Sequence, residues 1–331
     1  MKKFFIGADV SKKTLDCVLY DASMEKMRST HIKISNDSEG CKELVKWMKE
    51  HKIAKNEAIV CMEFTGRYSY DFAQLLDRKA VDFVLIPALK IKGFFAGARG
   101  KSDKVDSIRI ATYGYRCREE LVPTNLKDDK VMELRDLMND RKLAVKHASA
   151  YKTIMTEYKG KKTSSRYKRA EKMVAEYKKQ IAAIEKEIKE LIGNDEKLSR
   201  NYRLLNSLPG ISMVNAVNLI VFTGNFEFFN DSRKFASYSG VAPFEYSSGT
   251  SVNRGTHVSR LANKMLKADL SQAAKAAINY DPELKAYNER KRKEGKSYGC
   301  VLNAVKFKLI TRAFAVVKRG TPYVNTMKYR A

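Results

Sequence analysis

The side chains best suited to chemistry are four carboxylates, Asp9, Glu63, Asp103 and Asp106. Asp9 ends a short β-rich run over residues 3–10, and Glu63 ends another over 58–62. If those strands are neighbours, both carboxylates leave the same sheet edge. Asp103 and Asp106 are three apart at an expected helix start, which sets them on one helical face. Four like charges from three elements repel one another unless cations lie between them, and hard oxygen donors select Mg²⁺ or Mn²⁺. Two such ions would stabilise the attacking and leaving oxygens of a phosphodiester exchange. Read singly, each acid has a plainer role: an Asp after a strand commonly closes a turn, and Asp103 is equally placed to cap its helix.

A second group of reactive positions lies in SYSGVAPFEYSSGTS, a Pro-aromatic-Glu segment running into Ser247, Ser248 and Gly249. Taken alone, Ser-Ser-Gly reads as a turn in a loop. A serine hydroxyl is a weak nucleophile until something activates it, and nothing fixes the one local base, His257. Leu208-Pro209-Gly210-Ile211-Ser212 reads either as a helix-hairpin-helix turn offering N–H groups to a phosphate or as an ordinary helix connection. Lys92, Arg99 and Lys101 interleave with Phe94 and Phe95 just before Asp103, which suits a loop over single-stranded nucleic acid or, equally, a core-packed segment. Arg254, Arg260, Lys264 and Lys267 are further candidates for phosphate contact. The run Arg290-Lys291-Arg292-Lys293 is a sequence-blind grip or a solvated face.

The elements that must position these groups change character along the chain. Residues 3–10, 15–20 and 26–34 are β-rich, 38–50 is helical, 58–62 is a strand, 69–78 a helix and 81–86 a strand. That order is an α/β layer in which a three-strand meander precedes the crossovers. Over 164–193, Tyr167, Ala170, Val174, Tyr177, Ile181, Ile184, Ile188 and Leu191 recur at spacings of three and four. This is a heptad seam, read as a helical hairpin or an inter-subunit coiled coil. After about residue 199 the pattern is mainly helical, split by glycine turns. The expected organisation is therefore 1–150, then a helical coiled-coil linker over 151–198, then 199–331.

Composition narrows the function. The 331 residues carry a formal net charge of +26, and 44% are hydrophobic, enough for folded cores beneath a basic surface. Half of the surplus lies in residues 201–331, with 21 basic against 8 acidic side chains. The default partner of such a surface is nucleic acid. No apolar run approaches the ~20 residues that span a bilayer, and the start MKKFFIGADV breaks at Asp9 without a cleavage site, so no membrane role and no targeting segment are expected. Five scattered cysteines and four dispersed histidines indicate reduced thiols and no His/Cys zinc site.

The strings FIGADVSKKTLD, CMEFTGRYSYDFAQLL and PALKIKGFFAGARGKSDKVDSIRIA together resemble the signature blocks of the DEDD insertion-sequence transposases, the RNA-bridged recombinases. The likeness spans nearly the whole chain. It departs mildly at Ala8, Phe64, Ser102 and Ser107, and no carboxylate is lost. The resemblance implies an α/β RuvC-like (RNase H-like) catalytic domain, a helical coiled-coil segment and a mainly α-helical serine transposase domain. It implies that Asp9, Glu63, Asp103 and Asp106 form an acidic tetrad binding Mg²⁺. The segment Gly-Val-Ala-Pro followed by Ser-Gly aligns Ser248 with the family's serine nucleophile, with Ser247 as its rival because the register rests on Gly249. VSRLANKMLKADLSQAAKAAI resembles the helix after that serine, with Ala262 for the expected glycine and Lys267 for the expected arginine, a point charge where a bidentate donor is usual.

The expectation is thus a DNA recombinase of an insertion element acting in the prokaryotic cytosol. By implication of the resemblance it works on donor and target DNA through a phosphoserine, is guided by a structured RNA, and assembles as a homotetramer with its site shared between chains. The alternatives are a RuvC-like metal-dependent nuclease with no covalent serine step, and a non-catalytic nucleic-acid-binding scaffold.

Overall fold

The computed structural model describes residues 2–24, 26–95, 102–124, 126, 129–229, 231–248, 252–258 and 262–325; within these, the side chains of 27–29, 89, 129, 245–248, 252–255 and 257 are left undescribed. The chain divides into two compact units, Met1–Asp128 and Asp129–Ala331.

The first unit is built on a five-stranded sheet. Strands β1 (Phe4–Val10), β2 (Thr14–Asp21) and β3 (Lys26–Ser35) form an antiparallel meander, while β4 (Ala58–Phe64) and β5 (Phe83–Pro87) join parallel, in the order β3-β2-β1-β4-β5. β1 is buried along almost its whole length, as a strand covered on both faces must be. Phe4, Ile6, Ala8 and Val10 pack with Leu44 and Met48 of α1 (Ser38–Glu50) and Phe72 and Leu76 of α2 (Arg67–Arg78). Phe5, on the other face, packs with Ile110, Ala111 and Tyr113 of α4 (Asp103–Arg116), which follows the short helix α3 (Ala88–Phe94). The alternation along β1 thus assigns each residue to a layer.

The second unit is mostly helical. Helices α5 (Asp129–Glu157) and α6 (Ser165–Gly193) pack against each other, with Arg141 bonded to Glu185 at 2.7 Å and His147 and Tyr151 stacked on Tyr177. The eight heptad positions are all buried or half-buried, so the seam is used within the chain as a helical hairpin. Of the two readings of the spacing, the packing within the chain is that of the helical hairpin. The division also falls at 128/129, ahead of the expected boundary at 150, because α5 runs unbroken through that point.

Beyond the hairpin lie α7 (Glu196–Asn206), α8 (Met213–Thr223), α9 (Ser232–Tyr238), α10 (Lys264–Tyr280), α11 (Pro282–Lys293) and α12 (Tyr298–Arg319), sharing one apolar core. Asp281, fully buried, accepts the N–H of Leu284 at the start of α11 and also receives Arg312 at 2.8 Å. The mainly helical pattern is interrupted by an antiparallel hairpin, β6 (Pro243–Ser248) with β7 (Val252–Val258). Its second strand, with Val252, Thr256 and Val258, is strand chemistry that glycine punctuation concealed.

Candidate active site

Three elements bring carboxylates to one end of the sheet. The parallel register of β1 and β4 pairs Ala8 with Met62, so Asp9 and Glu63 follow side by side. Both point to the α4 face: Phe5, two pairs back from Asp9, packs there, and so does Cys61, two before Glu63. The helix lies close because two glycines permit it. A Cβ on Gly7 would sit 2.1 Å from the Ser107 carbonyl oxygen and 2.3 Å from the Ala111 nitrogen, and one on Gly114 would sit 2.5 Å from Cys61 Sγ. Gly114 lies at Phe5, Ser107 and Ala111 lie at Gly7, and the helix therefore runs antiparallel to β1, starting at the Asp9 end with its first turn there. That turn carries Asp103 and Asp106.

The cap settles one alternative for Asp103. Ser102, not Asp103, is the N-cap, its hydroxyl accepting the Val105 N–H at 3.2 Å. Asp103 is the first helical residue, exposed, with its carboxylate uncommitted to capping. Asp106 is half-buried and meets Arg109 at 3.0 Å.

The electrostatics record the convergence. Burial, and then the charges of Asp106, Asp103, Glu63 and Asp16, push the Asp9 carboxyl up from 3.8 to about 6. Asp16, which sequence reasoning missed, stands directly opposite Asp9 across the β1–β2 ladder. It is buried and held by His31 Nε2 at 2.8 Å and Lys33 Nζ at 3.3 Å on β3. The signal available was DVSKKTLD, whose two strand-end acids become cross-strand partners only once the hairpin register is known. Among the described residues no three His, Cys, Asp or Glu side chains approach closely enough to share one ion. The acids meet as a concentrated negative field, and carboxylate oxygens are the donors that hard divalent cations select.

The other sequence-chosen residues are dispersed. Lys92 is exposed on α3, near Phe94, which stacks edge-on against Phe95 and Tyr113. Arg99, Lys101 and Arg260 lie outside the described residues, and Gly249 does as well. Ser248 is the last residue of β6, its backbone paired with Val252, and Ser247 pairs with Asn253; Arg254 lies in β7. Lys264 is exposed and Lys267 half-buried in the first turns of α10. Gly210, at φ +88°, has a packing role: a Cβ there would meet the Ala273 carbonyl oxygen at 2.5 Å and the Ala277 nitrogen at 2.6 Å. The glycine thus serves the approach of the turn to α10.

Residues 6–158 match the DEDD transposase family of the IS110 type, and residues 202–289 match the family described as Transposase IS116/IS110/IS902. The chain belongs to the IS110 family of transposases. Members of this family are enzymes that cut and recombine DNA, and an RNase H-like DEDD domain accords with the five-stranded mixed sheet. Among relatives of this IS110-family chain, the pilin gene-inverting proteins of Moraxella bovis and Moraxella lacunata are each 25% identical over 329 residues, covering 98% of both chains. The insertion element IS110 43.6 kDa protein of Streptomyces coelicolor is 36% identical over 124 residues, 38% of this chain and 30% of the relative. Among the described residues of this IS110-family chain no helix is long and apolar enough to cross a membrane.

Proposed function

We propose that this chain is the recombinase of a mobile DNA element, in which Asp9, Glu63, Asp103 and Asp106 hold Mg²⁺ or Mn²⁺ and Ser248 is the nucleophile. The observation that carries the reading is the crowding of the other acids' charge onto Asp9, at the joined ends of β1 and β4 under the first turn of α4. A natural sequence keeps such repulsion where a function uses it. When bound, the divalent ions would polarise a phosphate and stabilise the oxygens entering and leaving it. The four carboxylates would be their ligands, with Arg109 holding Asp106 and Asp16 backing Asp9 from the neighbouring strand.

In the covalent step, the Ser248 oxygen bonds to phosphorus as the bond from phosphorus to a sugar oxygen breaks. The serine proton leaves and a proton is taken up by the departing sugar oxygen, so the cut strand is held as a phosphoserine ester. Attack by a new sugar hydroxyl on that ester reseals a strand and restores the serine. Exchange, rather than hydrolysis, is supported by the end-to-end match to two gene-inverting proteins. Lys92, Arg99, Lys101, Gly210, Arg254, Arg260, Lys264 and Lys267 are proposed to grip nucleic acid. A structured guide RNA and a homotetramer that completes the site between chains are part of the same reading and rest on the family resemblance.

The test is strand exchange in purified components with DNA, RNA and Mg²⁺. Asp9→Asn and Ser248→Ala are each expected to lower exchange by about 10³-fold or more, and wild type is expected to leave a trappable protein–DNA ester that Ser248→Ala lacks. Ser247→Ala should stay within about tenfold of wild type. Full cutting by Ser248→Ala with loss in Asp9→Asn would instead establish the nuclease without a covalent step. Retention of activity by both would leave the scaffold.

A further inference from the structure

Lys306, on α12, has 6% of its surface exposed and is the one buried cation among the described residues. Elsewhere in the second unit, Arg312 clamps Asp281 and Glu283, and Arg141 takes Glu185. Lys306 is treated in the opposite way. The charge that bears on it is Lys267, from the packed helix α10, and among the described residues neither ammonium meets a carboxylate. Burying a cation beside a second cation is doubly unfavourable, since each loses water and each repels the other. Burial, then the charge of Lys267, accordingly lowers the affinity of Lys306 for its proton.

The place is as informative as the charge. Asn303, one turn earlier on the same face of α12, donates Nδ2 to the Val241 carbonyl at 2.7 Å, just before β6 begins. On the return side, Asn263, immediately before α10, bonds through its N–H to the Tyr238 carbonyl at 3.2 Å. Both lysine-bearing helices are therefore tied to the root of the β6–β7 hairpin, whose far end carries Ser247 and Ser248. A dianionic or monoanionic phosphate oxygen group is the ligand that turns this repulsion into attraction. It accepts charge-assisted bonds from two ammonium groups at once.

We propose that Lys306 and Lys267 together hold one phosphate of a nucleic-acid backbone at the root of the serine hairpin. Only the identity of the polyanion rests on the functional reading above; the anion site itself rests on the two lysines.

The experiment uses the full chain, as wild type, Lys306→Met and Lys267→Gln. Thermal unfolding is compared in sodium phosphate and in sodium chloride at matched ionic strength, and binding of duplex DNA and of an RNA hairpin is titrated against salt. In chloride, Lys306→Met is expected to melt at or above the wild-type temperature, because methionine fills the same space without a charge. Phosphate is expected to raise the melting temperature of wild type and of neither variant. Either variant should weaken the bound polymer about tenfold and reduce the steepness of its log–log salt dependence by about one; loss in the DNA arm or in the RNA arm identifies which backbone supplies the phosphate. A lower melting temperature for Lys306→Met in chloride, with no phosphate-specific effect in wild type, would show that the ammonium is paired inside the protein and overturn the proposal. Unchanged affinity and salt dependence in both variants would overturn it as well. If wild type binds no nucleic acid at all, the functional reading fails, and the phosphate-specific stabilisation still decides the anion site.

Discussion

Asp9 is the residue on which the site's electrostatics turn, and the sign of its effect is testable. Its carboxyl is raised to about 6 by burial and by the neighbouring acids, so between pH 4 and 6 the folded chain binds more protons than the unfolded one. Stability then falls as pH rises through that interval, and the cost stays in full above it. Solvent screening of this half-buried group brings the cost to about 1–2 kcal/mol. Asp9→Asn removes it. Without divalent ions, the variant is expected to melt above wild type at pH 7.5 and to converge with it near pH 4; Mg²⁺ should raise the wild-type melting temperature and leave the variant's unmoved. A constant difference across this pH range, or an equal response to Mg²⁺, would separate Asp9 from both the repulsion and the ion. The raised value is also a measure of geometry, since Asp103 and Asp106 act on Asp9 only because α4 brings its first turn over β1.

At the scale of elements, that approach depends on missing atoms. Gly7 faces backbone of α4 at distances no methyl group can occupy, and backbone cannot rotate aside as a side chain can. Gly7→Ala is expected to cost about 2–3 kcal/mol in urea unfolding and to lose strand exchange beyond what instability explains, because it shifts Asp103 and Asp106. Gly93→Ala, on α3 with nothing within 4 Å of the added carbon, is the matched control and should be neutral or slightly stabilising. In the second unit, Ile188 of α6 is fully buried in the core. Ile188→Ala should cost about 2–5 kcal/mol, with little change in exchange rate at temperatures where the fold persists. An equal loss of exchange would give the helical hairpin a direct part in the chemistry.

For the whole molecule, the cores matter most. The apolar clusters of Met1–Asp128 and of Asp129–Ala331 share no residue. Units with separate cores unfold as separate cooperative transitions. Calorimetry is expected to resolve two transitions, with Leu44→Ala lowering the first unit's transition and leaving the other in place; a single transition that moves as one would contradict the separation. The heptad helix α6 packs on α5 within the chain; tetrameric self-association is a separate part of the proposal. Sedimentation with and without nucleic acid measures it, and a monomer under all conditions would remove the assembly from the reading. The net charge of +26 makes low and defined salt essential to each of these binding measurements.

Much of this protein was legible from its letters because the relevant signals are local. β-rich runs marked β1, β2 and β4, the three-residue spacing put Asp103 and Asp106 on one face, and three- and four-residue steps marked α6. Local pattern also left real ambiguities. Whether Asp103 capped its helix was decided by Ser102, whose hydroxyl takes that role. That α6 packs on α5 within the chain was likewise supplied by the fold. That Asp16 stands against Asp9, that Gly210 makes room for α10, and that Lys306 is buried on α12 where it packs with the helix carrying Lys267 were invisible beforehand. Each is a contact between residues distant in sequence or a matter of pairing register, and free energies of burial and of charge depend on what lies across the gap, which only the folded chain specifies.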